Sequence, residues 1–172
     1  RVAAALSCAA AAVVGLVFSA SEVARLGGPR QLLGAGPGER RDLVVNDPLP
    51  AYTEARVLPP DSRTLFVGEP RGYGFPRRFV APSQHDVSPL RPLLEGSVPI
   101  AAVLARLAGQ GITHLLVNDG ELARLAAAYP VAPATSVAGR RRWRELLEAL
   151  GPPVVATGGV RVWPLPRGPS PV

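Results

Sequence analysis

The most conspicuous pattern in the chain is at its start. Residues Val2 to Ala20 read VAAALSCAAAAVVGLVFSA, 19 positions without a charge. At ~1.5 Å of rise per residue, a helix of this length nearly crosses a hydrocarbon core of ~30 Å. Ser7, Cys8 and Ser19 are compatible with lipid, because a helix lets small hydroxyls bond back to its own carbonyls. The high alanine content suits a helix packed against other membrane helices. The pattern therefore predicts a transmembrane helix over residues 1–26, the last one of a polytopic protein. A signal peptide and a buried soluble helix are the competing readings, although the run exceeds an ordinary signal-peptide core.

From Gly27 to Pro50 the periodicity stops, and Gly, Pro and Arg take over in GGPRQLLGAGPGERRDLVVNDPLP. Gly27-Gly28-Pro29 terminates the preceding helix, and residues 27–50 read as a linker or membrane-surface arm.

Residues 51–166 then show alternating strand and helix signals, expected to form a soluble α/β domain. Thr64-Leu65-Phe66-Val67 reads as a buried strand and Arg78 to Ala81 as a short second one. Ser97 is placed to cap a helix whose apolar residues Ile100, Val103, Leu104 and Leu107 share one face. Ile112 to Asn118 is the strongest strand signal in the chain. Asp119-Gly120 leads into a helix with Leu122, Leu125, Ala126 and Tyr129 on one side. Ser136 opens another, with Trp143, Leu146, Leu147 and Leu150, ended by Gly151-Pro152-Pro153. Val154 to Thr157 and Val160 to Leu165 flank Gly158-Gly159 as a hairpin. Helices between the middle strands imply a small parallel sheet, to which the hairpin adds an antiparallel edge. The expected architecture is a reduced Rossmann-like three-layer domain, with residues 167–172 as a disordered tail.

Composition changes this picture in three ways. All 19 basic residues are Arg, against 13 Asp plus Glu, and beyond Arg1 they are spread from Arg25 to Arg167. Aromatics are 5%, so the excess of +6 is a compositional bias and not a nucleic-acid face. The densest run, Arg140 to Arg144, lies on an amphipathic helix beside Glu145 and Glu148; a solvated helix face explains it, with phosphate or phospholipid contact as the sharper reading. The single Cys8 excludes an internal disulfide framework and a cysteine-rich zinc site. The chain has no Met, as expected for a piece of a longer protein. Arg25, Arg30, Arg40 and Arg41 follow the apolar stretch and only Arg1 precedes it. Counted alone, that bias puts the C-terminal part in the cytoplasm, but the rule weakens for long translocated domains.

No self-sufficient active site is visible. Gly68-Glu69-Pro70-Arg71-Gly72-Tyr73-Gly74 occupies the place of a phosphate loop, yet it lacks the Lys-Ser/Thr pair and the G-x-G-x-x-G spacing. Pro70 also removes a backbone donor. No cofactor and no metal site is expected. His114, inside its strand, reads as a buried hydrogen bonder. His85-Asp86 lies in a polar loop where Asp86 could orient the imidazole or merely cap the loop. Ligands of open α/β sheets gather beyond the carboxyl ends of the parallel strands. That rule selects Glu69, Arg71 and Tyr73, then His85 and Asp86, then Asn118, with Asp119 and Glu121 beside it. Arg71 could clamp a phosphate or carboxylate and Tyr73 could stack on a sugar. The plainer reading is a pair, Arg71–Glu69 or Arg71–Asp86, that pins loops.

With an apolar helix, a Pro-rich connector, PPDSRTLFVGEPRGYGF, GITHLLVNDGELARL and a final V-x-V-W hairpin, residues 1 to 166 resemble the last membrane helix and C-terminal soluble domain of bacterial GT-C-type membrane glycosyltransferases. These are relatives of the protein-mannosyl and aminoarabinose transferases. The resemblance implies a polytopic enzyme of the plasma membrane using polyprenyl-phosphate-linked sugars, with the tail domain on the periplasmic or extracytoplasmic side. It implies as partners the membrane, the polyprenyl-phosphate sugar and the upstream membrane part, and no nucleic acid. The family's catalytic acidic residues lie in loops between early membrane helices, so none is carried over to this chain. The expected role is non-catalytic and accessory to substrate binding. A membrane-anchored or secreted α/β binding domain without enzymatic activity is the alternative.

Overall fold

The computed structural model describes residues 46–166, together with Val13 and residues 15–17, which are helical. The chain divides into two units, Arg1–Val45 and Asn46–Val172. Most of the expected membrane helix, nearly all of the expected linker and the expected tail lie outside the described residues. Among the described residues no helix is long and apolar enough to cross a membrane.

Residues 46–166 form a mixed α/β structure. In chain order the elements are α1 (Leu49–Glu54), a 3-10 turn (Ala55–Val57), β1 (Arg63–Val67), β2 (Arg78–Val80), α2 (Arg91–Leu94), α3 (Ile100–Gly109), β3 (His114–Asn118), α4 (Asp119–Ala126), α5 (Val137–Leu150), β4 (Val155–Thr157) and β5 (Val160–Pro164). The five strands make one sheet in the order β2-β1-β3-β5-β4. β1 runs parallel to both β2 and β3, whereas β5 is antiparallel to β3 and β4. The hairpin turn needs two successive left-handed residues, and Gly158 and Gly159 supply them at φ 61° and 81°.

Every residue of β3 is buried, so each face of the strand needs its own cover. Leu65, Val67, Leu115, Val117 and Trp163 point to one side, where α2, α3 and α5 bring Leu94, Val103, Leu107, Leu146 and Leu150. Phe66, Leu116, Val160 and Val162 point to the other, against Ala51, Tyr52 and Ala55 of the first helical segment and Phe75 of the β1–β2 loop. Phe66 is fully buried and meets Phe75 edge-on at 4.9 Å. Burying a side chain of this size contributes about 1.5–3 kcal/mol.

Local chemistry accounts for most boundaries. Ser136 caps α5 by accepting from the Gly139 N–H at 2.8 Å. Glu95 accepts from the backbone N–H groups of Thr135 and Ser136 and from the Ser136 hydroxyl, which hold its carboxyl down to about 2. Three expectations need correction. Ser97 does not cap α3: Pro99 holds that position in extended geometry, and no side chain caps it. The helix after Asn118 stops at Ala126, leaving Tyr129 beyond it. Helix α1 begins inside the expected linker, because Pro48 and Pro50 fall in its first turn, where a missing N–H costs nothing.

Candidate functional site

The carboxyl ends of β1 and β3 lie side by side, since the register pairs Val67 with Val117. The next residues therefore meet across 49 positions of sequence. Asn118 donates from Nδ2 to Glu69 Oε2 at 2.7 Å, within a buried environment. Glu69 Oε2 also accepts from Arg71 Nη2 at 2.8 Å, and Oε1 accepts from Arg71 Nε at 2.7 Å and from the Arg71 backbone N–H at 2.9 Å. A carboxylate offers about four acceptor sites, and here all four are taken. The Glu69 side chain has no solvent exposure.

The network extends on both sides. Asn118 gives its second amide hydrogen to the Asn46 carbonyl at 3.0 Å, and its oxygen caps α4 by accepting from the Glu121 N–H at 3.2 Å. Arg71 Nη2 donates to the same Asn46 carbonyl at 3.0 Å, while the Tyr52 hydroxyl donates to the Arg71 carbonyl at 2.7 Å. Glu121, also buried, is held by Arg124 through Nε at 2.8 Å and Nη2 at 2.7 Å. These bonds, with the Asn46 amide and the Arg71 charge, keep its carboxyl below the ordinary value of 4.5. The Arg71 guanidinium is raised in turn, chiefly by its bond to Glu69. Two glycines make the approach possible. Gly68 has φ 70°, and a Cβ there would stand 2.3 Å from Leu122 Cβ; a Cβ on Gly120 would stand 2.3 Å from the Asn46 side-chain oxygen.

Of the six residues selected by position, Glu69, Arg71 and Asn118 are thus brought together, and of the two pairings considered for Arg71 the one to Glu69 is formed. Tyr73 is 94% exposed, away from this network. His85 and Asp86 do not form the dyad considered for them. Asp86 Oδ2 accepts from the Ser83 backbone N–H at 2.8 Å, and His85 lies 3.2 Å from the Gln84 amide and edge-on to Tyr129 at 5.1 Å. Asp119, next to the network, is engaged elsewhere by Arg161 at 2.7 and 2.8 Å. Asn46, Tyr52 and Arg124 are members that sequence reasoning did not select; the φ of Asn46, 54°, is the only positive value at a non-glycine among the described residues. In the arginine run on α5, Arg140, Arg141 and Arg144 are exposed; Arg140 donates to the Thr135 carbonyl, Arg141 pairs with Glu145 at 3.4 Å, and the half-buried Arg142 donates to the carbonyls of Leu94 and Val98.

Glu69 and Asp86 share the lining of one cavity at this end, with a volume of about 10 Å³. That holds one water molecule and nothing larger. Among the described residues no group of three His, Cys, Asp or Glu side chains could hold a metal ion.

Fold and site together define a small mixed α/β domain whose strand-end crevice is filled by its own charged side chains. No family model matches the chain, and neither a curated protein nor a solved structure matches it.

Proposed function

We propose that this chain is the C-terminal part of a bacterial membrane glycosyltransferase, a non-catalytic domain that accompanies a membrane-embedded enzyme using a polyprenyl-phosphate-linked sugar. One observation supports the reading most strongly. The two stretches that carry the resemblance, PPDSRTLFVGEPRGYGF and GITHLLVNDGELARL, lie far apart in sequence but meet in one network through Glu69 and Asn118. The engaged state of Glu69 supports the non-catalytic part, because a carboxylate with four donors on it has no free acceptor for a proton.

We also read the sheet as a reduced Rossmann-like unit. Its parallel strands follow the order 2-1-3 of doubly wound folds, and the cover changes face between the β1–β2 loop and α2–α3. The domain would sit on the extracytoplasmic side of the plasma membrane. The test uses the whole 172-residue chain. It should float with phospholipid vesicles and transfer no sugar from a polyprenyl-phosphate donor by itself. Absence from the vesicle fraction contradicts the membrane assignment, and turnover by the chain alone contradicts the accessory role.

A further inference from the structure

The opposite end of the same two strands is built differently. There the register sets Thr64 of β1 beside His114 of β3, and His114 beside Pro164 of β5. A cleft of about 580 Å³ opens at this edge, with Pro59, Asp61, Ser62, Ile112, His114 and Pro164 in its lining. That is the size of an ordinary small-molecule site, and the mixture of apolar walls with a few polar groups is also ordinary for one.

Two polar groups in the lining are buried and short of partners. Ser62 is 1% exposed, placed by a turn in which its N–H donates to the Pro59 carbonyl at 3.0 Å. Its hydroxyl has no hydrogen bond among the described residues. His114 is 7% exposed, and its Nδ1 lies 2.8 Å from the Thr113 hydroxyl. That hydroxyl also accepts from the Arg63 N–H at 2.9 Å and can give its hydrogen to the Arg63 carbonyl at 3.2 Å. Thr113 can meet Nδ1 in either sense, so Nε2 serves as donor or acceptor according to the ring tautomer. Burial disfavours the imidazolium and holds its pKa below 6.5, opposed in part by Asp61. The ring is therefore neutral at neutral pH.

These features select a ligand class. Among the described residues the charged side chain in the lining is the Asp61 carboxylate, while Arg63 beside Gly111 is turned to the Gln110 carbonyl, so an anion is disfavoured. A purely apolar guest would leave the Ser62 hydroxyl and the second ring nitrogen of His114 unmatched. A ring bearing several hydroxyls can meet Nε2 and Ser62 in either sense, give a hydrogen to the Asp61 carboxylate, and lay its C–H face on proline and isoleucine. We propose that the cleft at the amino ends of β1 and β3 binds a neutral polyhydroxylated molecule of the monosaccharide or polyol class, held by Ser62, His114 and Asp61. The observations behind this lie at the other end of the sheet from the Glu69 network and stand whether or not the parent protein transfers sugar.

The chain has two histidines, so imidazole carbon–proton NMR signals of the full chain report directly, with His85 as internal control. The probes are methyl glucoside, methyl galactoside, xylitol and inorganic phosphate. At least one neutral probe should shift the His114 signal saturably at millimolar concentration, with phosphate inert and His85 still. Ser62→Ala removes an unpaired hydroxyl, so it should stay folded while weakening that binding about three- to tenfold. The proposal is overturned if no neutral probe moves His114, if phosphate moves it equally, or if folded Ser62→Ala binds as well as the parent.

Discussion

The two ends of β1 and β3 use buried polar groups in opposite ways. At the carboxyl ends Glu69, Arg71, Asn118 and Glu121 are engaged with one another and leave room for one water, and only Asp47 Oδ2 beside them is buried without a partner among the described residues. At the amino ends the Ser62 hydroxyl and the His114 ring nitrogen Nε2 make no hydrogen bond among the described residues, and a cleft of about 580 Å³ stands beside them. A buried hydrogen-bonding group without a partner costs about 1–3 kcal/mol, whereas a satisfied one contributes about 1. The first end therefore stabilises the fold, and the second gives up some stability for groups that a ligand could meet. Open α/β sheets direct attention to the carboxyl ends of strands; in this chain that end is closed by its own side chains.

The largest effect should come from breaking the closed end. Glu69→Ala removes the charged acceptor shared by the Arg71 guanidinium and the Asn118 amide and leaves them only the Asn46 carbonyl in common. Removing one partner of a buried ion pair costs about 3–5 kcal/mol, and with the remaining Arg71 side chain 35% exposed the loss falls at the low end, about 3 kcal/mol. Urea unfolding of the variant should show a loss of that order, or a failure to fold.

Much of this arrangement was legible in the residues alone, and what was missed has physical reasons. β1, β3, the hairpin and the Ser136-capped helix follow from apolar periodicity, paired glycines and a hydroxyl at a helix start, all of which are local signals. Glu69, Arg71 and Asn118 could be selected because strand ends are identifiable without knowing which strands pair. That Glu69 and Asn118 touch depends on β1 lying beside β3, which no local pattern states. Helix α1 was hidden by Pro48 and Pro50, residues that read as linker although a first helical turn accepts them. The absent Ser97 cap reflects Pro99, whose extended geometry sets the helix start by itself. His85 and Asp86 are neighbours in sequence, but each has a nearer partner in the loop. The amino-end cleft left no trace, because an unpaired hydroxyl becomes visible only once burial is known.

A smaller effect should separate the two ends by pH. The folded His114 binds its proton more weakly than the unfolded chain does, because burial opposes the charge. The unfolded state therefore takes up more protons, and stability is complete above 6.5 and falls as pH drops through the depressed folded value. The carboxylates of Glu121 and Glu95, both held down in the fold, lose their contributions only below 4.5. Urea midpoints followed from neutral pH down to that value should decline in the parent chain and be flatter in His114→Gln. Equal slopes would mean that the imidazole is not buried in its neutral form.

The most direct test of the asymmetry is equilibrium unfolding of Ser62→Ala, measured beside Glu69→Ala. Deleting a hydroxyl that has no partner should leave stability unchanged within about 0.5 kcal/mol or raise it, while the Glu69 variant loses several times that amount. A loss of more than about 1 kcal/mol in Ser62→Ala would show the hydroxyl to be hydrogen-bonded, and the two ends of the sheet to be alike.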